Sequence, residues 1–138
     1  MKKISILLII TLALGLTACE KTEDDNIAGA DWRTTGTIDS YGSITRNGED
    51  TDVLVCVHSG DAMFYLDTEE QTLYDSVTYP TEIDAEFQSI DFADRNGDGN
   101  GDVAMTFTKD DEMTLMVWFW ESDSFVYQPD ESYIPGLE

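Results

Sequence analysis

Two stretches with strand character, Phe87 to Phe92 and Val103 to Thr108, are separated by a run that can only be loop, Asp94-Arg-Asn-Gly-Asp-Gly-Asn-Gly-Asp102. After the run, Val103, Met105 and Phe107 alternate with Ala104, Thr106 and Thr108, the period of a strand with one buried face. The run itself is a pattern of oxygens. Asp94, Asn96, Asp98 and Asp102 occupy positions 1, 3, 5 and 9, and Asn100 at position 7 offers its backbone carbonyl. Oxygen-only donors at that spacing suit a hard cation that takes six or more oxygens at about 2.3–2.6 Å, which is Ca²⁺. Gly99 lets the loop turn where a side chain would strain the backbone. The expectation is strand, calcium loop, strand.

The same spacing opens an EF-hand, but position 12 is Met105 rather than a bidentate Glu, and the flanks are strands rather than helices. An ordinary Asn-Gly or Asp-Gly turn would not need so many acids. Without a cation, Asp94, Asp98 and Asp102 would repel one another at close range, which an ordinary turn would avoid.

The rest of the chain has the same texture. Short alternating runs recur at Thr34–Ile38, Gly42–Thr45, Asp52–His58, Ala62–Asp67, Leu73–Val77, Met113–Glu121 and Phe125–Gln128, with no long helical period. The breaks carry turn chemistry: Arg46-Asn47-Gly48-Glu49, Ser59-Gly60-Asp61, Lys109-Asp110-Asp111 and Glu121-Ser122-Asp123-Ser124. Tyr79-Pro80 ends one meander before the next begins. The fold class expected is all-β, antiparallel and built mostly from sequential hairpins. Two strands are apolar on both faces, with Val53/Val55/Val57 against Leu54/Cys56, and Met113/Leu115/Val117/Phe119 against Met116/Trp118/Trp120. Such strands lie in a sheet covered on both sides, or keep one face for a partner.

The N-terminus carries a different message. Lys2 and Lys3 precede an apolar stretch from Ile4 to Leu16, too short to span a bilayer comfortably, followed by Leu16-Thr17-Ala18-Cys19. This resembles a bacterial lipobox. Residues 1–18 are then a lipoprotein signal peptide, and Cys19 becomes the lipidated mature N-terminus, held durably if two or more acyl chains are attached. Residues 19–30 are acidic, lack an apolar period and are expected to be a flexible tether. Residues 31–138 are then one β domain.

The whole chain carries a formal charge of −22, with 29 acidic and 7 basic residues. Loss of residues 1–18 removes two lysines and takes the formal charge to −24. Nucleic acid is excluded as a partner, because phosphate binding needs a basic footprint. Such acidity serves solubility, and it also attracts metal ions or basic proteins. With Cys19 lipidated, Cys56 has no second cysteine to pair with, so a small exported domain must draw stability from another source, such as bound calcium.

The loop D-x-N-x-D-G-x-x-D between two strands resembles the calcium loop of FG-GAP/VCBS-type repeats, the blades of integrin-like β-propellers. The longer stretches SIDFADRNGDGNGDVAMTF and MVWFWESDSFVYQPDESYIPGL resemble a group of bacterial exported proteins with a degenerate blade, a Trp-rich strand and an F-x-Y-x-x-E/D-x-S tail. Some relatives in that group are inhibitors or immunity proteins against lysozyme-like peptidoglycan hydrolases. The resemblance covers roughly residues 85–138. It implies one or two packed propeller-type blades, calcium at Asp94, Asn96, Asp98, Asn100 and Asp102, and no catalytic residue. Residues 53–77 would belong to a second blade without a metal loop.

Other chemistry is thin. Cys56 and His58 share a strand face, but a buried thiol and a strand-end imidazole explain them more simply than a nucleophile and base. No hydrolase, zinc or phosphate-loop motif appears, so no enzyme is expected. Trp118, Trp120, Phe125 and Tyr127 are expected in the core, with a sugar-stacking platform as the alternative. The function expected is a lipid-anchored, calcium-stabilised envelope binding protein acting on a basic peptidoglycan hydrolase, with Tyr79 or Tyr133 lending specificity at a loop edge. An adhesion or glycan-binding module at the cell surface is the alternative. Either would sit on the exported side of a bacterial membrane.

Overall fold

The computed structural model describes residues 37–137. The expected signal peptide, Cys19, the tether and residues 34–36 of the first expected strand lie outside the described residues. Thr37 and Ile38, the rest of that strand, are irregular. The first strand, β1, is Ser40–Arg46.

Eight strands follow one another, and each sheet is a meander in sequence order. One sheet holds β1, β2 (Glu49–Val57), β3 (Asp61–Leu66) and β4 (Leu73–Thr78). The other holds β5 (Glu86–Asp91), β6 (Val103–Lys109), β7 (Glu112–Glu121) and β8 (Ser124–Tyr127). All six pairings are antiparallel. The all-β, antiparallel expectation holds, and the strand runs foreseen from Gly42 onward correspond to these strands, whereas the run Thr34–Ile38 gives none among the described residues.

Three hairpins close with two residues, both at positive φ: Asn47 and Gly48 (54° and 83°), Asp110 and Asp111 (51° and 70°), Ser122 and Asp123 (50° and 66°). Two successive left-handed residues are the turn whose twist matches that of the flanking strands. Asn, Asp and Ser tolerate it at lower cost than bulky residues do.

The core lies between the two sheets. Ile44, Val53, Val55, Phe64 and Val77 from the first meet Val103, Met105, Phe107, Met116 and Trp118 from the second. Phe64 stands edge-on to both Phe92 and Phe125, with ring centroids 5.2 and 6.1 Å away. Tyr79 and Ile83, from the connection between the sheets, complete the cluster. Leu54, Cys56 and Tyr65, whose side chains alternate with the inter-sheet set, are also buried. On β7, Met116 and Trp118 point inward as the alternation implies, and Thr114 joins them. The opposite set is graded, from exposed Met113 to buried Val117.

After β8 the chain makes a 3-10 turn at Pro129–Glu131, and Tyr133 then pairs with Leu115. Ser132 Oγ accepts the Val117 N–H across the gap. The edge of β7 is thus covered twice.

Candidate functional site

The five residues expected to bind metal all lie in the connection from β5 to β6, and that connection is held by its own side chains. Asp94 Oδ1 accepts the amides of Gly97 (2.8 Å) and Asp98 (3.2 Å), while Oδ2 accepts that of Gly99 (2.8 Å). Asn96 Oδ1 accepts the Asp98 amide at 3.1 Å, and Asp98 Oδ1 accepts the Asn100 amide at 2.8 Å. Gly97 and Gly99 take positive φ, 80° and 89°, which allows successive amides to turn toward one carboxylate. The amides, led by that of Gly99, hold the Asp94 carboxyl below its ordinary pKa of 3.8.

Asp102 is different. It is fully buried. Its Oδ2 accepts the amides of Arg95 (2.7 Å) and Asn96 (3.2 Å), and its Oδ1 accepts the Trp120 amide at 2.9 Å. The ladder between β6 and β7 begins at Val103 opposite Trp118. Beyond that pair, the Asp102 side chain serves the next amide of β7 in place of a backbone carbonyl. One carboxylate therefore ties the start of the loop to the far end of β7.

The loop also docks on the first sheet. Asn100 Oδ1 accepts the Asn47 amide at 2.9 Å, and the Gly101 amide donates to the Thr45 carbonyl at 2.7 Å. A Cβ at Gly101 would stand 2.8 Å from the Phe92 carbonyl oxygen, so glycine is required for this approach. Beside the dock, Arg46 lies with its guanidinium carbon 3.2 Å from the Trp120 ring centroid and 4.9 Å from that of Phe125. It also pairs with Asp75 at 3.3 Å and reaches the Tyr74 hydroxyl. Arg46 thus joins the two sheets next to the loop.

Sequence reasoning missed three of these roles: Asp102 as a buried anchor, the Asn100 side chain as a link to the first sheet, and Arg46 as the pin. An isolated basic residue beside an Asn-Gly turn was the only signal for Arg46, and nothing local names a partner 28 residues away.

As donors, Asp94, Asn96 and Asp98 are hard oxygens on an exposed loop and fit Ca²⁺ by chemistry. Asp94 Oδ2 and Asn96 Oδ1 each accept a single amide, which leaves a lone pair for another partner. Among the described residues no group of three or more His, Cys, Asp or Glu side chains is gathered as for a metal ion.

The remaining candidates separate cleanly. Cys56 Sγ–H donates to the Thr37 carbonyl at 3.2 Å, whereas His58 Nδ1 pairs with Asp61 at 2.9 Å, so the two face different partners. Trp118 is 2 % exposed, and Trp120, Phe125 and Tyr127 are partly covered, which is core packing rather than an open stacking platform. Tyr79 is 5 % exposed, which corrects the expectation that it contacts a partner, while Tyr133 is 58 % exposed. Burial, followed by the charges of Asp61 and Asp39, pushes the Tyr79 phenol well above its ordinary pKa. Its buried hydroxyl has no hydrogen-bond partner among the described residues. No helix among those residues is long and apolar enough to cross a membrane.

Comparison with protein-family models, with curated proteins and with solved structures finds no match to this chain.

Proposed function

We propose that this chain is a non-catalytic binding protein of the bacterial envelope, anchored by lipid on Cys19, stabilised by calcium and directed against a basic peptidoglycan hydrolase. The observation that carries the reading is the nine-residue loop. Its hard oxygens are ordered by backbone amides, and it rests on both sheets, so a cation bound there would brace the whole fold. Asp94, Asn96, Asp98, the Asn100 carbonyl and Asp102 are the ligands in this proposal, with affinity in the range of extracellular modules, about 10⁻⁴–10⁻³ M. The likeness of the loop and of the Trp-rich C-terminal half to FG-GAP/VCBS-type blades supports the same reading.

The choice of partner rests on charge and on that resemblance. A formal charge of −24 after signal removal speeds encounter with a cationic protein, and lipid on Cys19 keeps the domain beside the wall. Such attraction weakens as salt shortens the screening length to about 8 Å at 0.15 M.

The test has two arms. Thermal melting in calcium at one hundred times its dissociation constant should show about 2.7 kcal/mol of added stability, lost on chelation. Clearing of cell walls by lysozyme and by the host's own hydrolases should slow when the purified protein is added at micromolar concentration, and recover as salt rises. A melting point indifferent to chelator removes the calcium half. Clearing unaffected for every hydrolase removes the inhibitor half and leaves the adhesion module.

A further inference from the structure

We infer that a cleft between the β4–β5 connection, the β6–β7 hairpin and the C-terminal segment receives a basic side chain, arginine in the first instance, from the cationic partner; the partner's class rests on the reading above. The cleft has a volume of about 470 Å³. Its rim carries Glu82, Asp84, Asp110 and Glu112, and the one base there, Lys109, is engaged with Asp84 at 2.6 Å. Lys109 also feels the charge of Asp110 and stands opposite Glu112 in the β6–β7 ladder, so of the four carboxylates Glu82 is the one farthest from its compensation, and four acids against one base leave the rim with a formal charge of −3. Its floor is apolar, with Ile83 and Ile134 each 8 % exposed and Pro135 beside them.

Acidity alone would suit any cation, but Thr114 narrows the choice. It lies on β7 at only 6 % exposure, lines the cleft, and its hydroxyl makes no hydrogen bond to any described residue. The hydroxyl is also not among the fully enclosed unpartnered atoms, so it is reachable from outside, on a residue that lines the cleft. A hydroxyl with no protein partner accepts a donor readily. Apolar floor, one recessed acceptor and an anionic rim together match a side chain with an alkyl stem and several donors at its head. The stem would cover Ile83 and Ile134 while the head reaches Thr114 and the carboxylates of Glu82 and Glu112 by charge-assisted bonds.

The probe is Nα-acetyl-arginine amide, titrated into the purified protein and followed by amide chemical shifts, with the neutral isostere Nα-acetyl-citrulline amide alongside. Saturable shifts centred on Ile83, Thr114 and Ile134 are expected for arginine, with at least fivefold weaker binding of citrulline. Glu82→Gln with Glu112→Gln should weaken arginine at least fivefold. The charge-matched pair Asp67→Asn with Glu69→Gln, on the exposed β3–β4 loop, should change it less than twofold. Equal loss from both pairs, equal binding of citrulline, or shifts spread over the whole acidic surface would overturn the inference. The two double variants are then compared in the wall-clearing assay. If a hydrolase is restrained and the cleft variant restrains it undiminished, the cleft is not its contact and the inference falls while the inhibitor reading stands. Arginine bound at the cleft with no hydrolase restrained supports the cleft and removes the inhibitor reading alone.

Discussion

Loss of the Asp102 carboxylate would strand three amides at once, those of Arg95, Asn96 and Trp120. The site is fully buried, so water cannot replace the lost acceptor. Asp102→Asn keeps one acceptor oxygen but turns an NH₂ toward an N–H, and we expect it to cost about 3 kcal/mol, measured by urea unfolding in chelator. Asp98 is exposed and accepts a single amide, so Asp98→Ala should lower stability in chelator by less than about 1 kcal/mol while removing most of any calcium effect. Equal losses in chelator for the two variants would contradict this division. The sequence shows five oxygen-bearing residues in register, and they do lie together in one loop. It could not show that Asp102, alone of the five, also serves three buried amides, because that added role changes neither the residue type nor the spacing of the loop. The distinction is made by Trp120, 18 positions later.

At the scale of elements, strand positions were legible because a sheet with one buried face writes a period of two into the chain. The two-residue turns were legible through Asn-Gly, Asp-Asp and Ser-Asp. The register shifts between Phe64 and Tyr65 and between Phe87 and Ser89 were not, since an extra residue in a strand leaves the local composition unchanged. The β6–β7 hairpin offers a direct test of turn strain. Asp111 holds φ at 70°, a conformation that glycine adopts without penalty. Asp111→Gly should therefore stabilise the protein by about 0.5–1 kcal/mol, and it also removes one of two adjacent like charges. A fall in the urea midpoint would mean that the Asp111 side chain has an unrecognised role. The β1–β2 turn already has glycine at the matching position, Gly48, which is why the comparison is made at the second hairpin.

At the scale of the molecule, sequential hairpins gave the strand order, because neighbours in the chain tend to be neighbours in a sheet. The joining of the two sheets was not foreseeable in the same way. It depends on contacts between distant residues: Phe64 with Phe92 and Phe125, Arg46 with Trp120, Asn47 with Asn100 and Thr45 with Gly101. These contacts lie on one side of the molecule around the β5–β6 loop, so both sheets should unfold together. Phe64→Ala removes a ring that is wholly buried between them, and the loss expected is about 3–5 kcal/mol. The informative quantity is the cooperativity of that loss. If the sheets depend on each other, tryptophan fluorescence in a Trp32→Phe background, where it reports Trp118 and Trp120 of the second sheet, and far-ultraviolet circular dichroism, which reports all eight strands, should give one coincident transition shifted to lower urea. If the fluorescence transition stays at its wild-type midpoint while part of the dichroism is lost early, the second sheet stands alone and the shared core contributes less than its burial implies. The loop would then brace one sheet rather than two, and calcium added to Phe64→Ala should raise only the later transition.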